Sequence, residues 1–213
     1  MAGQTGIFIS HAHADQEIAD VIRKKLRRFF ANGVPIFLSP NTIAAGKNWL
    51  PEIEKALKCR VLLVLLTPNS LSRPWLWFEV GACWDAHRSD QTTILPVTVG
   101  LNAEDIPAPL DQIQTPDLTT KDGCKAFFSS LHDVFAPLGI VEDMRNNQFI
   151  KALQAKLKPS ADMLPAPATD ALMEALGHLL EQDALKHADL SVFGDANLLT
   201  AQQIRQLKRK SSG

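Results

Sequence analysis

A single carboxylate lies within a tryptophan-rich segment of the chain. The stretch from Pro74 to Trp84 reads PWLWFEVGACW, and its one charged residue is Glu79. An acid among aromatic side chains loses much of its hydration, and proteins rarely keep such a group unless it is paired, protonated or used. Trp75 precedes Glu79 by four residues, so the two side chains share one face of a helix. An acid beside an aromatic ring suits a ligand that carries a sugar and a ring.

The segments around this acid alternate between strand-like and helix-like patterns. The apolar runs GIFIS, PIFLS, RVLLVLLT and TILPVTV lack a strict period of two, which is typical of strands buried on both faces of a parallel sheet. Helices are predicted to begin near Asp15, near Asn48 and at Pro74, and a further helix is predicted over residues 122–135. A weaker fifth strand is predicted over residues 112–118. This rhythm predicts an α/β fold, a flavodoxin-like five-stranded parallel sheet of order 2-1-3-4-5 flanked by helices.

The predicted topology determines where a ligand should bind. In an open parallel sheet, ligands bind at the carboxyl ends of the strands, where the strand order reverses. Here that point lies between the first and third strands, and residues 10–14 and 68–73 form the loops on its two sides. Glu79 follows the second loop. We therefore expect Ser10 and His11 to line the substrate crevice, with a turn or capping role as the alternative.

Several common chemistries are not indicated. Neither GxGxxG nor GxxxxGK[ST] follows the first strand, which argues against an ordinary Rossmann dehydrogenase or kinase. His11 and His13 lack the spacing of a metal site, so no metal is predicted. The cysteines Cys59, Cys83 and Cys124 are odd in number and widely spaced, and we interpret them as core thiols.

Composition indicates one globular core plus a small appendage. The chain has 213 residues, of which 46% are hydrophobic, and its formal net charge is -1. No signal-peptide pattern is found, and the apolar run VLLVLL is too short to span a bilayer, so we expect a cytoplasmic protein without a membrane partner. The net charge argues against direct nucleic-acid binding. Basic residues concentrate on the first predicted helix, as a solvated face or a partner-binding surface. They are Arg23, Lys24, Lys25, Arg27 and Arg28.

Four stretches in order resemble a Toll/interleukin-receptor (TIR) domain of the bacterial kind, over about residues 5–138. Three of them are GIFISHAHADQEIADVIRKKL, FLSPNTIAAGKNWLPEIEKAL and LLVLLTPNSLSRPW, and the fourth is the WxxxE motif. The loop from Ser39 to Lys47 resembles the family's BB loop. Gly46 occupies its usual glycine position and Trp49 its usual aromatic position.

The resemblance implies an activity and a set of site residues. In TIR domains that cleave NAD, the glutamate of WxxxE is the catalytic acid, and the position implied here is Glu79. The implied substrate-binding residues are Trp75, Gly46 and Trp49. Ser10 and His11 join them by their position at the crevice. NAD would be the substrate, and no separate cofactor is expected.

One carboxylate is enough for this reaction, although glycosidases typically need two. The nicotinamide of NAD is a cation that departs neutral, so no acid has to protonate it, and a carboxylate can stabilise the oxocarbenium-like ribose. We expect an NAD nucleosidase or cyclising hydrolase in bacterial defence or signalling, activated by self-association through TIR domains. The sequence does not decide whether the product is linear or cyclic ADP-ribose. It also does not decide whether a partner protein or a nucleotide signal activates the enzyme.

Two other functions are compatible with the sequence. A non-catalytic TIR adaptor would dock other TIR domains through its BB loop and basic first helix, and a nucleoside deoxyribosyltransferase-like enzyme would act on free nucleosides. The pair Trp75 and Glu79 favours the NAD-cleaving enzyme. The expected organisation is a TIR domain over residues 1–138, a helical linker with a Pro/Ala-rich break over 139–169, and a small helical C-terminal extension over 170–213.

Overall fold

The computed structural model describes residues 6–39, 58–71, 73–136 and 146–157. The strands are β1 (Ile7–Ser10), β2 (Ile36–Leu38), β3 (Val61–Leu66) and β4 (Thr93–Thr98). The helices are α1 (Gln16–Phe29), α2 (Pro74–Arg88), α3 (Lys121–Phe135) and α4 (Asn146–Gln154). The helix predicted from near Asn48 and the extension predicted over residues 170–213 lie outside the described residues.

The strands form one parallel sheet in the order β2-β1-β3-β4. Every residue of β1 and β3 is buried, which explains their unbroken apolar sequences, because helices cover both faces of such a sheet. Ser10 at the end of β1 pairs with Val64 of β3. The predicted parallel α/β sheet is confirmed, and the strand order reverses between β1 and β3 as expected.

The prediction of a fifth strand over residues 112–118 is wrong, since the sheet has four strands within the described residues. Only Asp117 of that segment pairs with β4, in an isolated bridge to Thr98. The segment turns toward α3 immediately afterwards. The Asp117 carboxylate accepts hydrogen bonds from the backbone N–H and hydroxyl of Thr119, and the Thr120 hydroxyl accepts one from Gly123 N–H. These local side-chain contacts replace the ladder that a longer strand would need.

The helices lie on two faces of the sheet. The chain passes from β1 through α1 to β2 in one direction and from β3 through α2 to β4 in the other. Because such crossovers are right-handed, α1 and α2 cover opposite faces. The core on the α1 face includes Ile9, Leu63 and Val97 of the sheet with Leu26 of α1 and Phe127 of α3. Side chains alternate along a strand, so the even-numbered positions of β1, including Ser10, face the α2 side.

Candidate functional site

The candidate catalytic residue lies inside α2. This helix begins at Pro74, as predicted, because proline has the φ angle of a helix and its missing N–H costs nothing in the first turn. Glu79 lies in the second turn and is 0% exposed. Its neighbours Phe78 and Val80 are also buried. A carboxylate at this position has exchanged its hydration for protein contacts, and those contacts determine its chemistry.

Trp75 and Glu79 contact each other across one turn of α2. The indole Nε1–H of Trp75 donates a hydrogen bond to Oε1 of Glu79 at 3.0 Å. The prediction that these side chains share a helix face is therefore confirmed. Trp75 is half-buried, whereas Glu79 is buried. The indole thus fixes the position of one carboxylate oxygen and keeps part of its own ring exposed.

A second aromatic ring holds Trp75 in place. The rings of Trp75 and Phe78 are stacked, with centroids 5.1 Å apart and planes inclined by 23°. Stacked aromatic pairs contribute stability beyond the area they bury. The indole is therefore restrained by its hydrogen bond to Glu79 and by its contact with Phe78.

One turn beyond the acid, Cys83 continues the same helix face. Burial raises the pKa of the Cys83 thiol, and the negative charge of Glu79 and the neighbouring Cys59 raise it further. The thiol is therefore protonated at neutral pH and does not act as a nucleophile. Cys59 and Cys124 are buried free thiols as well. The prediction of three core thiols is confirmed.

Ser10 brings a hydroxyl to the α2 side of the sheet. It is 0% exposed, and its Oγ has no hydrogen-bond partner within the part of the chain that the structure describes. Buried hydroxyls are usually hydrogen-bonded, and exceptions call for an explanation. Because Ser10 faces the helix that carries Glu79, this hydroxyl is a candidate ligand contact.

His11 lies on the other side of the chain, toward α1. Its Nε2–H donates to Oε1 of Gln16 at 2.8 Å, and the amide of Gln16 donates to Asp20 at 3.1 Å. The Ser39 hydroxyl lies within hydrogen-bond distance of Nδ1 of His11, at 3.0 Å, and its Oγ accepts a hydrogen bond from the backbone N–H of His11 at 3.3 Å. The amide oxygen of Gln16 only accepts, so Nε2 is the donor in that contact, and Nδ1 also lies 3.4 Å from the backbone carbonyl oxygen of Ile9. Both ring nitrogens are therefore engaged by protein groups.

A buried acid that the sequence analysis missed connects the two loops of the crevice. Asp15 is 1% exposed, and its carboxylate accepts hydrogen bonds from the Thr67 hydroxyl at 2.6 Å and from the Asn69 amide at 2.9 Å. In the sequence, Asp15 looks like the residue that caps α1, but its side chain accepts no helix N–H. The TPNS turn after β3, rich in hydrogen-bonding side chains, was the signal that could have identified these partners.

The remaining predicted site residues, Gly46 and Trp49, lie outside the described residues, as does the rest of the predicted BB loop beyond Ser39. Over the described ranges, no three His, Cys, Asp or Glu side chains are grouped as a metal site would require. No helix in those ranges is long and apolar enough to cross a membrane.

A family model matches the part of the chain that forms the sheet, α1, α2 and most of α3. Residues 7–131 match the family model described as a TIR domain, which is more than half of the chain. No curated protein sequence matches the chain.

Two solved structures are similar at low sequence identity. The TIR domains of the activated Roq1 resistosome directly recognising the pathogen effector XopQ share 12% identity, with a TM-score of 0.39, over 71% of this chain and 82% of that one. A metazoan TIR-STING receptor from C. gigas in complex with 2′,3′-cGAMP shares 19% identity, with a TM-score of 0.42, over 97% of this chain and 52% of that one. This chain thus spans about half the length of the receptor. Both TM-scores are low, and the family assignment rests on the sequence match.

Proposed function

Because the chain belongs to the TIR domain family, by its match over residues 7–131, we propose that it is an NAD nucleosidase or cyclising hydrolase. The observation that carries this proposal is the buried carboxylate of Glu79, held at 3.0 Å by the indole of Trp75. NAD is the substrate in this proposal, and the reaction uses no separate cofactor.

The proposed reaction breaks the bond between the nicotinamide nitrogen and C1′ of the ribose. The bonding electrons leave with the nicotinamide, which is a cation in NAD and departs as a neutral molecule. The ribose that remains has the character of an oxocarbenium ion. Fixed negative charge beside that centre lowers the barrier, because it stabilises charge that develops in the transition state. Glu79 supplies this charge.

The second half of the reaction determines the product. Water that adds to C1′ loses a proton and gives ADP-ribose, whereas capture by a nucleophile of the same molecule gives a cyclic isomer. Trp75 is the residue best suited to influence this choice, because its half-buried indole contacts the carboxylate and can exclude water from the reacting ribose.

The other site residues have supporting roles. The buried hydroxyl of Ser10 would hydrogen-bond a polar group of the substrate, which would satisfy an atom that has no partner in the described part of the chain. His11 would line the crevice, with its ring held by Ser39 and Gln16. Gly46 and Trp49 would close the site from the BB loop.

Control by self-association is part of the proposal. TIR domains that join through the BB loop would complete each other's sites, in the cytoplasm and as part of a bacterial defence or signalling system. A partner protein or a nucleotide signal would then promote assembly. Activity per subunit should therefore increase with protein concentration.

The test is to incubate the full chain with NAD over a range of protein concentrations and to separate the products by chromatography. We expect nicotinamide release, with matching amounts of linear or cyclic ADP-ribose and a rate that rises faster than linearly with concentration. No release at any concentration, including under crowding, would support the adaptor function instead. Release of bases from free nucleosides with NAD left intact would favour the deoxyribosyltransferase-like enzyme.

A further inference from the structure

A cavity between α1 and α4 lies on the face of the sheet opposite α2 and Glu79. Its volume is about 230 Å³. α1 contributes three cationic side chains to its lining, Lys24, Lys25 and Arg28, and α4 contributes Gln148 and Phe149. The described lining therefore combines three cationic side chains with apolar ones, in a chain whose formal net charge is only -1.

The two exposed cations of this cavity have no counter-ion among the residues that the structure describes. Lys24 and Arg28 are one helical turn apart on α1, and neither forms an ion pair or a side-chain hydrogen bond with any described residue. Like charges at this spacing destabilise a helix. Arg28 lies in the last turn, where a cation interacts favourably with the helix dipole, but Lys24 lies a full turn earlier. The stability of α1 therefore does not explain why Lys24 and Arg28 are both cationic.

The third cation that lines the cavity, Lys25, is buried. Lys25 is only 7% exposed, and its Nζ lies 5.3 Å from the ring centroid of Phe128 and 6.0 Å from that of Phe149. Cations over aromatic faces are held in place by the ring quadrupole. This ammonium group is thus positioned, whereas the side chains of Lys24 and Arg28 extend from the surface.

We propose that this cavity binds the phosphate group of a small, soluble phosphorylated ligand. A phosphate carries multiple negative charges and several acceptor oxygens, which match the exposed ammonium of Lys24 and the guanidinium fork of Arg28. The amide of Gln148 adds a neutral donor. A volume of about 230 Å³ accommodates a phosphate with a small substituent. It is too small to hold an acidic helix of a partner protein. The proposal is independent of the Glu79 site.

The test is to titrate inorganic pyrophosphate into the full chain by calorimetry at low and high salt. The double variant Lys24→Gln/Arg28→Gln removes the two exposed cations and leaves the buried Lys25 in place. Its control is Arg27→Gln/Lys151→Gln, which removes the same number of positive charges from exposed positions of α1 and α4 that lie outside the cavity lining. Circular dichroism establishes that each variant is folded.

We expect pyrophosphate to bind the wild type in a salt-sensitive manner. The cavity variant should bind at least about tenfold more weakly, since it loses two charge-assisted contacts, and the control should bind within about twofold of wild type. No binding to the wild type, or equal weakening in both double variants, would overturn the proposal. It would also be overturned if the chain binds vesicles containing phosphatidylserine through these cations but does not bind pyrophosphate, because the surface would then be a membrane contact.

Discussion

The indole N–H of Trp75 donates a hydrogen bond to Oε1 of Glu79 across one turn of α2, at 3.0 Å. The donor is half-buried and the acceptor is completely buried. Because the carboxylate has no exposed surface, a substrate that reaches it must move groups that now cover it, and the indole is one of them. In the proposed enzyme, Trp75 would therefore both orient the acid and control access to it.

This double role leads to a prediction for Trp75. Trp75→Phe keeps a ring to stack on Phe78 but removes the N–H donor to a buried carboxylate, so it should cost about 1.5–3 kcal/mol of stability and lower the rate of nicotinamide release. Trp75→Ala also opens the site to water and should shift the products toward linear ADP-ribose. Chromatography and thermal denaturation measure the two effects. An unchanged product ratio in Trp75→Ala, or its failure to fold, would assign Trp75 to the core alone.

The buried acid Asp15 should stabilise the crevice. Asp15→Asn replaces one acceptor oxygen by a donor opposite the Thr67 hydroxyl or the Asn69 amide, so we expect a loss of about 1–3 kcal/mol in the free energy of unfolding. Urea denaturation measures this loss. Asp85→Asn, at an exposed position of α2, is the control and should change stability by less than about 0.5 kcal/mol. Equal stability of the two variants would contradict the predicted role of Asp15 as a link between the loops.

His11 and Ser39 should behave as a coupled pair. The Ser39 hydroxyl is hydrogen-bonded to the His11 ring and also accepts a hydrogen bond from the His11 backbone N–H. In a double-mutant cycle with His11→Ala and Ser39→Ala, we expect a coupling energy of about 0.5–3 kcal/mol in urea denaturation. Additive losses would mean that the contact does not hold the end of β2 against the end of β1.

The raised pKa values of the buried thiols should make the free energy of unfolding depend on pH in the alkaline range. Burial raises the pKa of Cys59, and of Cys124, from 9.0 to about 11. The folded chain then keeps these protons at pH values where the unfolded chain has lost them, so the free energy of unfolding should fall as the pH rises from 9.0 toward about 11. Urea titrations at several pH values measure this fall, and Cys59→Ala should reduce it. Rapid thiol labelling of the folded protein at pH 8, as fast as in urea, would contradict the burial of all three thiols.

The parts of the fold that local sequence determines were predicted well. The unbroken apolar run of β3 indicates a strand buried on both faces, and Pro74 marks the first turn of α2. The contact between Trp75 and Glu79 follows from helical spacing alone. Each of these signals is contained within a few consecutive residues.

The features that depend on distant contacts were not predicted. Asp15 meets partners more than 50 residues away in the chain, and the engagement of His11 depends on Ser39 after another strand. The prediction of a fifth strand failed because the side chains of Asp117 and Thr120 form local hydrogen bonds at the start of α3, and the sheet is not extended. The residues missed are those whose function depends on which loops the topology brings together.

The most direct test of the proposed function is the rate of nicotinamide release by Glu79→Gln. The substitution removes the negative charge but retains an oxygen that can accept the Trp75 N–H, so the folded structure should persist. We expect release to fall to background while circular dichroism and melting temperature stay close to wild type, and Glu104→Gln, at an exposed position, should remain fully active. Turnover of NAD by folded Glu79→Gln at the wild-type rate would contradict the assignment of Glu79 as the catalytic carboxylate.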